Sequence, residues 1–121
     1  VTTQIIVKTD FLKKNPDIVK KILQTHIDIT DWLNENKEER VKIFNEQIKK
    51  ISGQEIPEEI LKDSFDKIDF TYDPIKESLF EMAENSFEIG YLGNDMPDLD
   101  GIYDLEVLNQ VLKEKGIEEI K

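Results

Sequence analysis

Apolar positions along the 121-residue chain follow two kinds of pattern. Two short runs, near residues 3–8 and 68–72, are rich in β-branched and aromatic residues and predict short strands. Elsewhere apolar residues recur at helical spacing between capping, proline and glycine residues. These stretches predict five helices, near residues 16–35, 37–52, 57–66, 74–89 and 105–115. The pattern therefore predicts a mainly α chain that contains two isolated strands.

Local signals mark several helix ends. Asn15 is predicted to cap the first helix, with Pro16 at its first position, where proline is well tolerated. Gly53 is a plausible left-handed terminator of the second helix. Asp73 before a proline predicts the start of the fourth helix, and Asp104 is predicted to cap the fifth.

The first predicted strand has no partner adjacent in sequence, and a lone strand leaves its backbone groups unpaired. Either a segment outside this chain completes a sheet, or two copies complete it for each other. The chain opens on this run without an initiator methionine, so we interpret Val1 as a cut point within a longer protein. We treat residues 1–121 as a single piece, and we expect that piece to self-associate when it is expressed alone.

The composition narrows the range of partners. Apolar residues make up 38% of the chain and charged residues 36%, with a formal net charge of −11 and a pI of about 4.5. Such a chain repels phosphate backbones and anionic membrane surfaces, so nucleic acid is not an expected partner. The sequence contains no transmembrane run and no signal peptide. Arg40 is the only arginine, which leaves bidentate recognition of an anion by arginine nearly unavailable.

No residue set predicts catalysis, a metal or a cofactor. The chain has no cysteine, and therefore no thiol nucleophile and no thiolate metal site. His26 is the only histidine, and it forms no recognised metal-ligand spacing with Asp28 or Asp31, so we interpret it as a surface or half-buried helix residue. The adjacent acidic pairs do not face each other on a helix, and we interpret them as solvated: Glu38–Glu39, Glu58–Glu59 and Glu118–Glu119.

Asp98 and Asp100 before Gly101 resemble half of a calcium-binding loop. With Gly101 at the sixth position of an EF-hand, the first and twelfth positions fall on Met96 and Val107. Neither side chain can coordinate calcium. The interpretation is therefore a solvated turn.

Four phrases together resemble one protein family. Thr9–Lys20 reads TDFLKKNPDIVK, and Asp31–Asn36, which reads DWLNEN, follows it after His26. Ile68–Leu79 contains FTYDP, and Asp98–Gly116 contains GIYDL and VLKEKG. The set resembles the bacterial solute-binding proteins of ABC importers for aliphatic sulfonates, nitrate and taurine, and the likeness extends over essentially the whole chain.

The resemblance implies the C-terminal piece of such a receptor. Its members have two α/β lobes that close on a small anionic ligand, so the expected fold class is an α/β fragment, type II periplasmic-binding-protein-like, that supplies mainly outer helices of one lobe. It implies no enzyme activity, an extracytoplasmic location, and a small anionic solute and an ABC permease as partners. The residues that contact ligand in the family come mostly from segments outside this chain.

Thr71 and Tyr72 are the candidate ligand-binding residues. They lie where the second predicted strand ends and a helix begins, so their hydroxyls could donate hydrogen bonds to an oxyanion. The alternative is that Thr71 continues the strand and that Tyr72 packs beneath the next helix. The resemblance assigns neither residue to a ligand shell. Two other functions compete with the receptor: a helical protein–protein interaction module, and, with least support, a hydrolase that uses paired carboxylates.

Overall fold

The computed structural model describes residues 3–121 and folds them into six α helices. In chain order the helices are α1 (Thr9–Lys14), α2 (Pro16–Glu35), α3 (Lys37–Ser52), α4 (Glu58–Phe65), α5 (Lys76–Glu88) and α6 (Glu106–Glu114). Val1, the proposed cut point, and Thr2 lie outside the described residues.

The predicted α/β fold class is wrong, because neither of the two predicted strands forms within residues 3–121. In this part of the chain no backbone hydrogen bond joins residues 3–7 to another segment. Near residues 68–72, the Ile68 N–H bonds back to the Phe65 carbonyl, and the Phe70 carbonyl accepts a side-chain amide from Asn34. A β-branched sequence forms a strand only with a hydrogen-bonded neighbour, and neither run has one here.

One helix was not predicted. α1 begins without a side-chain cap and contains no buried residue. Asp10 lies in its first turn and Lys13 and Lys14 in its last, where these charges complement the helix dipole. The Asn15 side-chain amide ends the helix by donating to the Phe11 carbonyl at 3.2 Å, rather than capping the start of α2.

α5 starts two residues later than the Asp73–Pro74 signal predicts. The Asp73 carboxylate accepts a hydrogen bond from the Ile75 N–H at 2.8 Å, which makes a tight turn instead of a helix cap. Ile75 has a φ of 47°, in the left-handed region that a β-branched side chain disfavours. Asp104 makes a similar turn with the Glu106 N–H at 3.1 Å, just before α6.

Contacts divide the chain into two compact units, and the boundary falls within α2, between Gln24 and Thr25. The first unit comprises the described residues up to Gln24 together with Asp73–Lys121. Its buried apolar side chains are Val19 of α2 and three residues of α6: Leu108, Val111 and Leu112. An ion pair of 2.6 Å between Lys20 and Glu114 links the same two helices at the surface.

The second unit, Thr25–Tyr72, has its own core. α3 and α4 pack against each other, and the buried apolar side chains are Ile27, Val41 and Leu61. Asn45 on α3 bonds both the N–H and the carbonyl of Ile56 through its side-chain amide, at 2.9 and 2.8 Å. This pair of bonds ties the segment after α3 back onto the helix.

Candidate functional site

In the first unit, the Gln4 side chain joins three segments that are distant in sequence. Its amide nitrogen donates to the Pro74 carbonyl at 2.8 Å and to the Tyr103 hydroxyl at 2.7 Å. An amide NH₂ has two donor hydrogens, so both donors are used. The three residues are half-buried. The segment that precedes α1 is therefore fixed to the FTYDP and GIYDL phrases.

In the second unit, the least expected feature is a buried arginine. Arg40 is 5% exposed, and its guanidinium carbon lies 5.0 Å from the ring centre of Phe65 and 5.3 Å from that of Phe70. The Nη1 group donates to the Leu33 carbonyl at 2.9 Å. The buried Nε has no hydrogen-bond partner among the described residues. A positive charge is thus enclosed by aromatic rings with part of its donor capacity unused.

A pocket of about 160 Å³ opens beside this guanidinium, and we refer to it as the Arg40 pocket. Its charged lining residues are Lys37, Glu38, Arg40, Lys62 and Asp66, and Val41 and Phe65 form its apolar part. The pocket lies at the first turn of α3, where backbone N–H groups have no partner within the helix.

Lys62 is already engaged at the rim of the Arg40 pocket. Its ammonium bonds the Glu58 carboxylate at 2.7 Å, one helical turn earlier on α4. That hydrogen bond, reinforced in each case by the opposite charge of the partner, raises the pKa of Lys62 and lowers the pKa of Glu58. Lys37 makes no ion pair among residues 3–121, so it is the more available lysine of the two.

The structure places Thr71 and Tyr72 in the irregular segment between α4 and α5, at the end of the second unit. Thr71 is exposed and already has an interaction partner, while Tyr72 is half-buried. Because no strand forms here, the strand-end geometry that suggested these residues is absent from this segment. Their role as ligand-binding residues remains a prediction.

The remaining polar candidates occupy helix surfaces and turns. His26 is half-buried on α2, and no group of three or more metal-ligating side chains forms within the described residues. The Asp98 carboxylate accepts the Asp100 N–H at 2.9 Å, which builds a local turn. Glu38 and Glu39 are exposed in the first turn of α3.

Sequence reasoning missed the Arg40 pocket because its aromatic residues come from distant positions. One signal pointed to it. Arg40 precedes Phe44 by four residues and therefore shares a helix face with an aromatic residue that contacts Phe65 edge-on, at 5.4 Å between ring centres. An arginine on that face was positioned to lie beside the Phe65 ring.

Comparison of the chain with protein families, with curated proteins and with solved structures finds no match. Within residues 3–121, no helix combines the length and the apolar character that crossing a bilayer requires.

Proposed function

We propose that this chain is the C-terminal part of the substrate-binding component of an ABC importer for a small anionic solute, such as a sulfonate, nitrate or taurine. It performs no chemistry of its own. The intact protein works outside the cytoplasm, binds its solute with hydrogen-bond donors, and delivers it to an ABC permease.

The observation that carries this proposal is the position of Gln4. The proposal began from phrases scattered along the sequence, and the structure brings two of them together on one side chain. Gln4 precedes the TDFLKKNPDIVK phrase, and its amide bonds Pro74 of the FTYDP phrase and Tyr103 of the GIYDL phrase. Phrases that form one bonded cluster support the proposal more strongly than the same phrases taken separately.

The first test is the complete coding sequence that contains these residues. The proposal expects a secretion or lipoprotein signal upstream, and genes for a permease and an ATPase beside it. A start codon directly before Val1 would exclude the receptor.

The second test is solute binding by the complete protein. Isothermal titration with taurine, short alkanesulfonates and nitrate should show saturable binding of one solute per protein for at least one of them. Binding of none of these solutes by well-folded protein contradicts the proposal. The variants Thr71→Val and Tyr72→Phe test the candidate ligand-binding residues, with Tyr91→Phe, which removes a hydroxyl from a side chain that is 82% exposed, as the control. If both variants bind like the control, Thr71 and Tyr72 are removed from the site and the receptor proposal stands.

A helical protein–protein interaction module is the second candidate, and the exposed apolar side chains favour it. Among residues 3–121, nineteen large hydrophobic side chains are exposed and only seven apolar ones are buried. Ile6 and Ile51 are 90% and 84% exposed. These exposed side chains are available for packing against further polypeptide. Limited proteolysis of the complete protein distinguishes the two functions. If the protein is a receptor, these positions should resist cleavage without any partner, and if it is an interaction module they should be cleaved.

A further inference from the structure

We propose that the Arg40 pocket binds a free small oxyanion, of the size of sulfate or acetate, through the Arg40 guanidinium and the Lys37 ammonium. The pocket belongs entirely to the second unit. The inference therefore holds or fails independently of the receptor proposal.

The first argument is the unused donor capacity of Arg40. A guanidinium has five N–H donors, and the only hydrogen bond from the Arg40 guanidinium within the described residues is the one from Nη1 to the Leu33 carbonyl. Arg40 makes no ion pair in this part of the chain. Burying a charge without an opposite charge or full hydrogen bonding is unfavourable. An anion in the adjacent pocket would supply the opposite charge.

The second argument is geometric. The rings of Phe65 and Phe70 lie close to the guanidinium carbon and favour the cation electrostatically, but they accept no conventional hydrogen bonds. The N–H groups in the guanidinium plane remain for an acceptor. Carboxylate, sulfate and related oxyanions present two oxygens at the spacing that matches two such N–H groups.

The third argument concerns size and charge. A volume of about 160 Å³ is large enough for an anion of a few heavy atoms. Three cationic residues and two acidic ones line the pocket, and because Lys62 is already paired with Glu58, Arg40 and Lys37 are the cations that remain for an anion. Lys37 at the first position of α3 adds a second cation beside the N–H groups of the helix N-terminus.

The test uses the fact that Arg40 is the only arginine. A ¹H–¹⁵N NMR spectrum of the 121-residue chain contains a single arginine Nε–H signal, which reports on this site directly. Titration with sodium sulfate or sodium acetate should move this signal along a saturable curve, whereas sodium chloride at matched ionic strength should not. The variant Arg40→Lys keeps the charge but loses the paired donors, and backbone amide signals of α3 should then report binding that is weaker by about tenfold or more.

A matched pair of lysine variants on α3 separates the pocket from general charge effects. Lys37→Gln and Lys50→Gln remove the same charge at opposite ends of the helix, and both side chains are exposed. Lys37→Gln should weaken sulfate binding several-fold relative to Lys50→Gln. Equal affinities in the two variants, or an Arg40 signal that responds no more to sulfate and acetate than to chloride, would overturn the proposal. So would movement of that signal with protein concentration alone, because the anion would then be a carboxylate of a second copy.

Discussion

The side chain of Asn109 should stabilise the first unit by holding the C-terminal segment onto α6. Its amide nitrogen donates to the Ile120 carbonyl at 2.8 Å, and its amide oxygen accepts the Ile120 N–H at 2.9 Å. The pair mimics the two backbone bonds between neighbouring strands. The change Asn109→Ala removes both bonds and leaves the helix backbone intact.

The magnitude follows from the two bonds and one offset. Each partly buried hydrogen bond contributes about 0.5–1.5 kcal/mol, so losing two costs about 1–3 kcal/mol. Alanine is a better helix former than asparagine by about 0.6 kcal/mol, which offsets part of this loss. The expected net decrease in the free energy of unfolding of Asn109→Ala is therefore about 0.4–2.4 kcal/mol.

Urea denaturation followed by circular dichroism measures this decrease, and hydrogen exchange locates it. Gln110→Ala is the control, because Gln110 is the exposed neighbour on the same helix and its side chain makes only a 3.4 Å contact with Glu114. The Ile120 amide should exchange faster in Asn109→Ala and at the parental rate in Gln110→Ala. Equal stabilities of the two variants, or unchanged exchange at Ile120, would show that the paired bonds do not hold this segment.

Three further predictions concern local conformation and charge. Ile75→Asn should raise the free energy of unfolding by about 1 kcal/mol, since asparagine tolerates the left-handed conformation at φ 47° better than isoleucine; a destabilised variant in thermal denaturation contradicts this. Gly53→Ala should lower the free energy of unfolding by about 1 kcal/mol, because Gly53 ends α3 at φ 78°, in the left-handed region. An added Cβ meets no atom within 4 Å, so the cost comes from the backbone conformation alone, and a urea midpoint equal to the parent's would refute it. Hydrogen bonding to Lys62, then the charge of Lys62, lowers the pKa of Glu58. The stabilisation from this ion pair is present above the usual glutamate pKa and is lost as the pH falls through the depressed folded-state pKa. In an NMR titration, Lys62→Gln should return the Glu58 pKa toward its usual value. An unchanged Glu58 pKa would show that the ion pair is not the cause of the shift.

Helix ends were predictable where a single residue determines the backbone. Pro16 fixes the start of α2, and Gly53 takes the left-handed conformation that ends α3, so both helices cover the residues that local signals predict. Aspartate before a helix was less informative. The Asp73 and Asp104 side chains each bond the N–H two residues ahead, and α5 and α6 begin only after those turns. The same residue type favours both structures, and local sequence does not decide between them.

The two predicted strands failed for a different reason. Their residues have a high propensity for β-strands, but a strand also needs a hydrogen-bonded neighbour, and the strand's own sequence does not specify one. Residues 3–7 find no backbone partner within the described chain. Helical periodicity was a limited guide to burial for a related reason: α5 has an apolar face at the expected spacing, yet none of its residues is buried. Which faces are covered depends on what packs against them.

The Arg40 pocket shows how far sequence reasoning reaches for a site. The sequence contains a single arginine in an acidic chain, and this predicts little recognition of anions by arginine. That prediction treats every arginine as a solvated side chain. Folding strengthens the electrostatic interactions that Arg40 can make. Phe65 and Phe70 exclude water from its guanidinium and fix its position, so its remaining N–H groups act in a lower dielectric. The strength of an anion site therefore depends on desolvation and on fixed geometry more than on the number of basic residues. Both properties arise from contacts of Arg40 with Phe65 and Phe70, which lie twenty-five or more positions away in the sequence. Periodicity and composition do not predict such long-range contacts.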